Sequence, residues 1–314
     1  MIPQNSAWSF ENLCLYSYCI VDDLLIELKK RLPELNPPGP KSECSDSELI
    51  AMCLVGECMG WAVETELLLH FAHPHSPFPH LPHQSRFNRR RRRLSAVVNL
   101  IRQSLLKILD LAQDRQCIID SLPVPVVQFH LVPGTMASSA GAHWKEHQAS
   151  FGKVASRKQT IFGYKLHLLI TGSGVILDFL LAPANVTDLA AGHELLSGHH
   201  AMDVVGDKGY ISAFVADELR QFNQVHLMTE YRQNQHRQLS SSASRILMSF
   251  RQLIETVNAQ LNSQFRIETN HAHSFSGLCA RLYAKLTAHT LSVFINRLLG
   301  NPDWLQIKSL AMVN

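Results

Sequence analysis

The residue pattern of this chain changes near residue 112. Before that point apolar residues recur at helical spacing, as in the segment 14–32. After it, short apolar runs are bounded by acidic, glycine or proline positions, which is typical of strands. The sequence therefore predicts an all-helical region at 1–110, an α/β catalytic domain at 111–300 and a C-terminal tail at 301–314, with a mixed sheet flanked by helices in the second region.

Five strands and several helices follow from this pattern. The turn Thr171-Gly-Ser-Gly174 joins the second strand to the third and predicts an antiparallel hairpin. Ser45-Asp-Ser-Glu48 is a capping box that predicts a helix start. The predicted strands are 116–120, 160–170, 175–181, 203–207 and 225–228. The principal predicted helices are 14–32, 49–59, 188–196, 211–222, 243–264 and 277–299.

Composition limits the class of protein. Of the 314 residues, 46% are hydrophobic and 18% are charged, which excludes a mostly disordered chain. No apolar run is long enough to cross a bilayer, and the N-terminus lacks a secretory signal, so we expect a cytoplasmic protein. The seven cysteines form no C-x-x-C pair, which favours free thiols in a reducing compartment over disulfides.

One segment of the chain is strongly basic. Positions 84–107 hold seven arginines, one lysine and no acid, giving a charge of +8 in a chain whose net charge is only +3. Five consecutive arginines repel one another unless a polyanion neutralises them. We therefore predict sequence-independent contacts with DNA phosphates. The residues assigned to this surface are Arg86, Arg89, Arg90, Arg91, Arg92 and Arg93.

Two aspartates each follow a short apolar run. Asp120 ends Gln116-Cys-Ile-Ile-Asp120, and Asp207 ends Asp203-Val-Val-Gly-Asp207. In α/β sheets catalytic groups concentrate at strand ends, where the sheet fixes the backbone and the side chain reaches solvent. An aspartate at such a position is also a common turn or helix-cap residue, and both interpretations stay open for these two residues.

Glu255 lies on the predicted helix 243–264. At 100° per residue it falls about 140° from the centre of the apolar stripe. Arg251, Asn258 and Asn262 share its polar face. A solvated pair between Glu255 and Arg251 is the simple alternative to a functional role.

Taken together, the three acids suit divalent metal chemistry. Mg²⁺ prefers carboxylate oxygen and keeps several waters, so it needs few protein ligands. Two such ions about 4 Å apart can activate the attacking oxygen and stabilise the leaving oxygen of a phosphodiester. Asp120, Asp207 and Glu255 are thus candidate catalytic residues that would hold two Mg²⁺ or Mn²⁺ ions.

Several other polar residues are more ambiguous. Lys165, on the polar face of its strand, and Lys208, beside Asp207, either contact DNA near the site or only solubilise the surface. Asp188 is interpreted as the cap of the following helix. The histidines between His70 and His83 lie in a proline-rich segment without zinc-type cysteine spacing, so we interpret them as structural or solvated.

These motifs resemble those of the DDE-type transposases of bacterial insertion sequences, with the greatest similarity to the insertion sequence 982 family. The resemblance extends from about residue 16 to residue 296. D-K-G-Y after a strand, followed at a distance by R-x-x-x-E, is its most specific part. The similar segments are Ser45-Asp-Ser-Glu48, Ser85-Arg-Phe-Asn-Arg-Arg90, Ile119-Asp-Ser-Leu-Pro123, Gly163-Tyr-Lys-Leu-His167, Ala184-Asn-Val-Thr-Asp188, Gly206-Asp-Lys-Gly-Tyr210, Arg251-Gln-Leu-Ile-Glu255-Thr and Ser276-Gly-Leu-Cys-Ala-Arg281.

The resemblance implies a ribonuclease-H-like catalytic domain in which Asp120, Asp207 and Glu255 are metal ligands. It further implies hydrolysis at the ends of a mobile element, which frees a 3′-hydroxyl that attacks target double-stranded DNA. A homodimer or higher multimer is expected by analogy. A related branch places Tyr seven residues before the glutamate, Arg four before and Lys seven after. Here Met248, Arg251 and Asn262 occupy those positions, so of these three only Arg251 is carried over as a DNA contact.

Three functions are compatible with these residues. The first is an active transposase, favoured because all three acids and the basic segment are present. The second is a nuclease of the same fold without strand transfer. The third is a co-opted copy that binds DNA without cleaving it, for which the expected sign is a missing acid.

Overall fold

The computed structural model describes residues 8–36, 38–40, 42–73, 76–111, 114–127, 139–154, 159–229 and 241–311. The chain divides into two compact units. The first comprises 1–109, 261–267 and 276–314, and the second comprises 110–260 and 268–275.

The first unit is built from helices. Its helices are α1 (Phe10–Arg31), a 3₁₀ turn (Pro33–Leu35), α2 (Asp46–Cys58), α3 (Glu64–Phe71), α4 (Gln84–Arg93), α5 (Ser95–Leu109), most of α10 (Phe275–Leu298) and α11 (Lys308–Ala311). The predicted capping box starts α2, since Ser45 Oγ accepts from the Glu48 amide and Glu48 Oε2 accepts from the Ser45 amide. Nearly every residue of α2 is buried. A helix that is apolar all round belongs at the centre of its unit.

The long helix α10 corrects the predicted domain borders. From residue 276 onward the chain belongs to the helical unit, so neither a catalytic domain ending at residue 300 nor a separate tail at 301–314 describes it. The cause lies in contacts remote in sequence. Thr287 Oγ1 donates to the carbonyl of Val98, and Ser292 Oγ lies 3.3 Å from Cys58 Sγ. Burial against the other helices therefore determines where α10 packs.

The second unit contains a mixed sheet of six strands, where five were predicted. The strands are β1 (Gln116–Val127), β2 (Ser150–Val154), β3 (Gln159–Thr171), β4 (Ile176–Pro183), β5 (Met202–Gly206) and β6 (Val225–Thr229). Their order is β2-β3-β1-β5-β6, and β4 pairs with β3. The β3–β4 hairpin is antiparallel as predicted, whereas β5 and β6 run parallel to β1. The short β2 was missed.

Strand β1 is longer than predicted. It continues past Asp120 to Val127, paired with β3 alone after its pairing with β5 ends at Ile119. The carbonyl of Val124 and the amide of Val126 lie against β3 at Gly163. Because backbone groups alternate in direction, the nitrogens of Pro123 and Pro125 face the other side. Two prolines are thus accommodated in a strand where no ladder bond needs their missing N–H.

Helices α6 (Ser139–Glu146), α7 (Asp188–Ser197), α8 (Ala213–Asn223) and most of α9 (Ser241–Ser263) complete the second unit. A core of sheet and helix residues holds the sheet to α7 and α8. Its buried members are Cys117, Ile119, Leu169, Leu195, Leu196, Val204, Tyr210, Leu219 and Val225. The paired segment of β1 and β5 that leads to Asp120 and Asp207 is therefore packed against α7 and α8.

The cysteines are free thiols, as the sequence predicts, and five of the seven are buried. Across the described parts of the chain, no helix combines the length and apolar character that crossing a membrane requires.

Candidate active site

The two aspartates predicted from strand ends meet on neighbouring parallel strands. The last pair in the β1–β5 register is Ile119 with Gly206. Asp120 and Asp207 are the next residues on the two strands, so their backbones emerge side by side at the same edge. The structure thus brings together two of the three predicted acids.

Asp120 is held by a neighbouring amide. Its Oδ2 accepts a hydrogen bond from Asn258 Nδ2 at 2.8 Å. Burial and, to a smaller extent, the negative charges of Asp207 and Asp188 raise the pKa of Asp120 to about 6, against the hydrogen bonds from Ser121 and Asn258 that favour the carboxylate. Gathered like charges of this kind are stabilised by a bound cation.

Asp207 follows β5 directly, as predicted, and its side chain is exposed. Its Oδ1 accepts from the amide of Gly209 at 2.8 Å, which caps the 3₁₀ turn Lys208–Tyr210. The two interpretations of this aspartate are therefore compatible, since the same hydrogen bond that caps the turn also fixes the carboxylate.

Glu255 lies on α9, three residues before Asn258. The helix buries Ile254 and Val257 and turns Asn258 toward Asp120. Glu255 is exposed and sits one turn earlier, about 60° away around the helix. Within the described ranges, no three His, Cys, Asp or Glu side chains lie close enough to hold a metal ion. Glu255 is accordingly placed on the helix whose Asn258 contacts Asp120, and the structure does not gather it with both aspartates into a group of three ligands.

The donor set nevertheless fits a hard divalent cation. Asp120 and Asp207 offer carboxylate oxygens at one sheet edge, and the predicted third acid, Glu255, lies on the helix whose Asn258 contacts Asp120. Oxygen ligands of this type are those that Mg²⁺ and Mn²⁺ prefer. Asp120 and Asp207, together with the sequence-predicted Glu255, are the candidate ligands for such an ion.

The same end of the sheet carries a charged pair that the sequence did not predict. Side chains alternate along β1, so Asp120 contacts α9 whereas Ser121 contacts Asp188 on α7, at 3.4 Å. Lys165 Nζ donates to Asp188 Oδ1 at 2.9 Å. The cap of α7 is Thr187, which accepts from the Ala190 amide, and this corrects the assignment of Asp188 as the cap. In the sequence, the Ala184–Asp188 motif was the feature that could have indicated a role for Asp188 beyond capping.

A buried tyrosine fixes the turn that bears Asp207. The Tyr210 ring is 1% exposed, and its hydroxyl lies 3.1 Å from His167 Nδ1. Burial lowers the pKa of His167 to about 4, so this imidazole is neutral at physiological pH. Gly192 of α7 allows the ring to approach, because a Cβ there would lie 2.6 Å from Tyr210 Cδ1. The turn is thereby anchored to both α7 and β3.

We expect Gly192→Ala to displace this anchor. The added methyl group overlaps a ring that has no room to move, and overpacking of this kind costs about 1–3 kcal/mol. Thermal denaturation should show the lower stability. Gly198→Ala is the matched control, since the new Cβ would meet nothing closer than the Leu195 carbonyl oxygen at 3.6 Å. Equal melting temperatures for the two variants would contradict the anchoring role.

The structure separates the predicted arginines into two groups. Arg91 is buried with its guanidinium 2.7 Å from Glu57, and Arg90 lies 2.7 Å from Asp46. Their charges are used inside the helical unit, so the predicted DNA contact is not retained for these two. The exposed arginines of α4 are Arg86, Arg89, Arg92 and Arg93. Of the other predicted DNA-contact residues, Lys208 and Arg251 are exposed, and Lys165 is paired as described above.

Residues 119–275 match the family model described as a transposase DDE domain. The match spans half of the chain and includes all three predicted acids. The chain therefore belongs to the DDE-domain transposase family.

No curated protein matches the chain. A solved structure, the Mos1 transposase paired-end complex with the left transposon end, is 12% identical over 75% of this chain and 82% of that one, with a TM-score of 0.21. A score this low does not establish a shared fold.

Proposed function

We propose that this protein cleaves the DNA ends of an insertion sequence and joins the freed 3′-hydroxyl to target DNA. The observation that carries the proposal is the β1–β5 register, which sets Asp120 beside Asp207 in a chain of the DDE-domain transposase family. Glu255 is proposed as the third carboxylate, supported by the contact of its neighbour Asn258 with Asp120. Membership of the insertion sequence 982 family, a cytoplasmic location and action as a homodimer or higher multimer are parts of the same proposal.

We further propose that the catalytic unit is ribonuclease-H-like. Three observations support this. Strand β3 lies between β1 and β4 and is antiparallel to both, β5 and β6 add in parallel on the other side of β1, and the candidate acids follow the β1–β5 pairing. The short β2 is an addition along the outer edge of β3.

The residues of the site would have distinct roles. Asp120, Asp207 and Glu255 would hold two Mg²⁺ or Mn²⁺ ions. When bound, such ions activate the attacking oxygen and stabilise the leaving oxygen. Asn258 orients the Asp120 carboxylate, and the Gly209 amide orients that of Asp207. Arg251, Lys165 and Lys208 are proposed to contact phosphates of the bound strand.

A strand-transfer assay tests this function. Purified protein is mixed with Mg²⁺, duplexes that carry the candidate ends flanking the gene, and a supercoiled target plasmid. We expect cleaved ends together with end–target joints. Cleavage without joints would indicate a nuclease, and DNA binding without cleavage would indicate a co-opted binding protein.

The exposed arginines of α4 give a separate prediction. Arg86, Arg89 and Arg93 follow each other at intervals of three and four residues, so they share one face of the helix. Replacing all three by glutamine should weaken binding to any duplex and reduce the slope of log K against log salt by about 0.9 for each phosphate that the protein no longer neutralises. Fluorescence anisotropy at several salt concentrations measures that slope.

The matched control for this variant is in the same unit. Lys30 and Arg31 are exposed on α1 and pair with Glu27, so their glutamine variants remove exposed positive charge at another place. We expect the salt slope of the control to equal that of the wild type. A triple arginine variant with an unchanged slope would remove α4 from the DNA-binding surface.

A further inference from the structure

The Lys165–Asp188 pair lies at the end of the sheet that carries the carboxylates. Asp188 Oδ2 and Asp207 Oδ1 border the same point, since a Cβ on Gly209 would lie 3.1 Å from the first and 2.9 Å from the second. Lys165 binds the other oxygen of Asp188. The Lys165–Asp188 ion pair therefore borders Asp207.

The ammonium of Lys165 is held in a defined position. It donates to Asp188 Oδ1 at 2.9 Å and to the carbonyl of Val186 at 3.5 Å, and the Lys165 side chain is only 13% exposed. Val186 and Asp188 flank the start of α7, whose Thr187 cap fixes the backbone there. An ammonium carries three donors. Two are directed at these acceptors, and in the described part of the chain no further acceptor of Lys165 is found.

A phosphodiester that approaches three aspartates meets unfavourable charge. Asp188 and Asp207 border the same point beside Gly209, and Asp120 follows the β1–β5 pairing next to Asp207. A preorganised cation beside them lowers the electrostatic cost of bringing in phosphate, because its position requires no rearrangement when the strand binds. A flexible surface lysine would not give this advantage.

We infer that Asp188 is a positioning residue that holds the Lys165 ammonium beside Asp207. In that position the ammonium binds a phosphate oxygen of the DNA strand being cleaved. This inference rests on the proposed function and deepens it by naming Asp188 as the residue that positions the Lys165 ammonium for its phosphate contact. The competing explanation is a purely structural ion pair in which each group only neutralises the other.

The two explanations differ in the double variant. Removing one partner of an ion pair leaves the other unpaired and costs stability, whereas removing both partners can leave the stability nearly unchanged. If Lys165 binds phosphate, K165Q slows single-turnover cleavage about 10- to 100-fold, D188N slows it less, and K165Q/D188N stays as slow as K165Q. K165R should recover part of the rate. A double variant that regains the wild-type rate would overturn the inference.

Binding supplies a readout that does not need cleavage. K165Q should reduce the salt slope of DNA binding by about 0.9, the value for one neutralised phosphate. The exposed pair Asp217 and Arg220 on α8, 2.8 Å apart, provides the control variants D217N and R220Q, for which rate and melting temperature should stay unchanged. If the wild type does not cleave, the proposed function fails and the salt slope still decides whether Lys165 contacts phosphate. An unchanged slope for K165Q would overturn the inference.

Discussion

Asp120→Asn, Asp207→Asn and Glu255→Gln should each reduce Mg²⁺-dependent cleavage of element ends by at least about 1,000-fold, because loss of a metal ligand removes several kcal/mol of transition-state stabilisation. Each variant replaces a carboxylate group by an amide group of nearly the same shape. The folded structure and the exposed arginines of α4 are untouched, so affinity for duplex DNA should change little. Gel-based cleavage assays and anisotropy measure the two properties separately.

The matched control for these variants is Asp203→Asn. Asp203 lies on β5, the strand that leads to Asp207, is exposed, and pairs with Gln116 at the other end of the β1–β5 ladder. Its amide variant should cleave at the wild-type rate. Full activity in any of the three site variants would remove that residue from the catalytic set. The Glu255 variant is the most informative of the three, because no contact with either aspartate fixes Glu255 in the described structure.

The largest effect on stability is expected from Glu57→Ala in the helical unit. Glu57 is 4% exposed and binds two buried cations, Lys285 Nζ at 2.6 Å and Arg91 Nη2 at 2.7 Å. Burial alone would raise the pKa of Glu57, but the charges of Lys285 and Arg91 outweigh it and hold the pKa below its usual value. Removing the carboxylate leaves both cations buried without their shared partner. Such a loss costs about 3–5 kcal/mol.

Thermal denaturation tests this expectation. A loss of that size corresponds to a fall of roughly 10 °C in melting temperature. Glu27→Ala is the control, because its pair with Arg31 is exposed on α1 and exposed pairs contribute no more than about 1 kcal/mol. A melting temperature for Glu57→Ala within about a degree of the control would show that the buried network does not stabilise the unit.

The same network shows what sequence patterns can and cannot predict about α4. The basic segment was identified as one surface because five arginines follow each other without an acid. Arg91 nevertheless lies one helical turn after Phe87, which is fully buried, and both face the core. That spacing was readable in the sequence. The acids Glu57 and Asp46 that neutralise Arg91 and Arg90 come from another helix, and no local pattern indicates them.

In the catalytic unit too, some features followed from the sequence and others depended on how the elements pack. Asp207 was correctly placed because the strand before it is short, apolar and ended by glycine. Asp120 was placed at a strand end, yet β1 continues through two prolines that only an unpaired edge tolerates. Asn258 and Asp188 were interpreted from their own helices alone. Their contacts with Asp120 and Lys165 depend on how α9 and α7 pack on the sheet, which local patterns do not encode.

Asp120, Asp207 and Glu255 are proposed to form one metal-binding site, and anomalous diffraction from crystals grown with Mn²⁺ and a DNA end measures this directly. The proposal predicts Mn²⁺ peaks at the β1–β5 edge, about 2.2 Å from carboxylate oxygens of Asp120 and Asp207, with Glu255 of α9 completing the set. An ordered, metal-loaded structure in which the three carboxylates lie more than about 10 Å apart, or in which Mn²⁺ binds elsewhere, would contradict it.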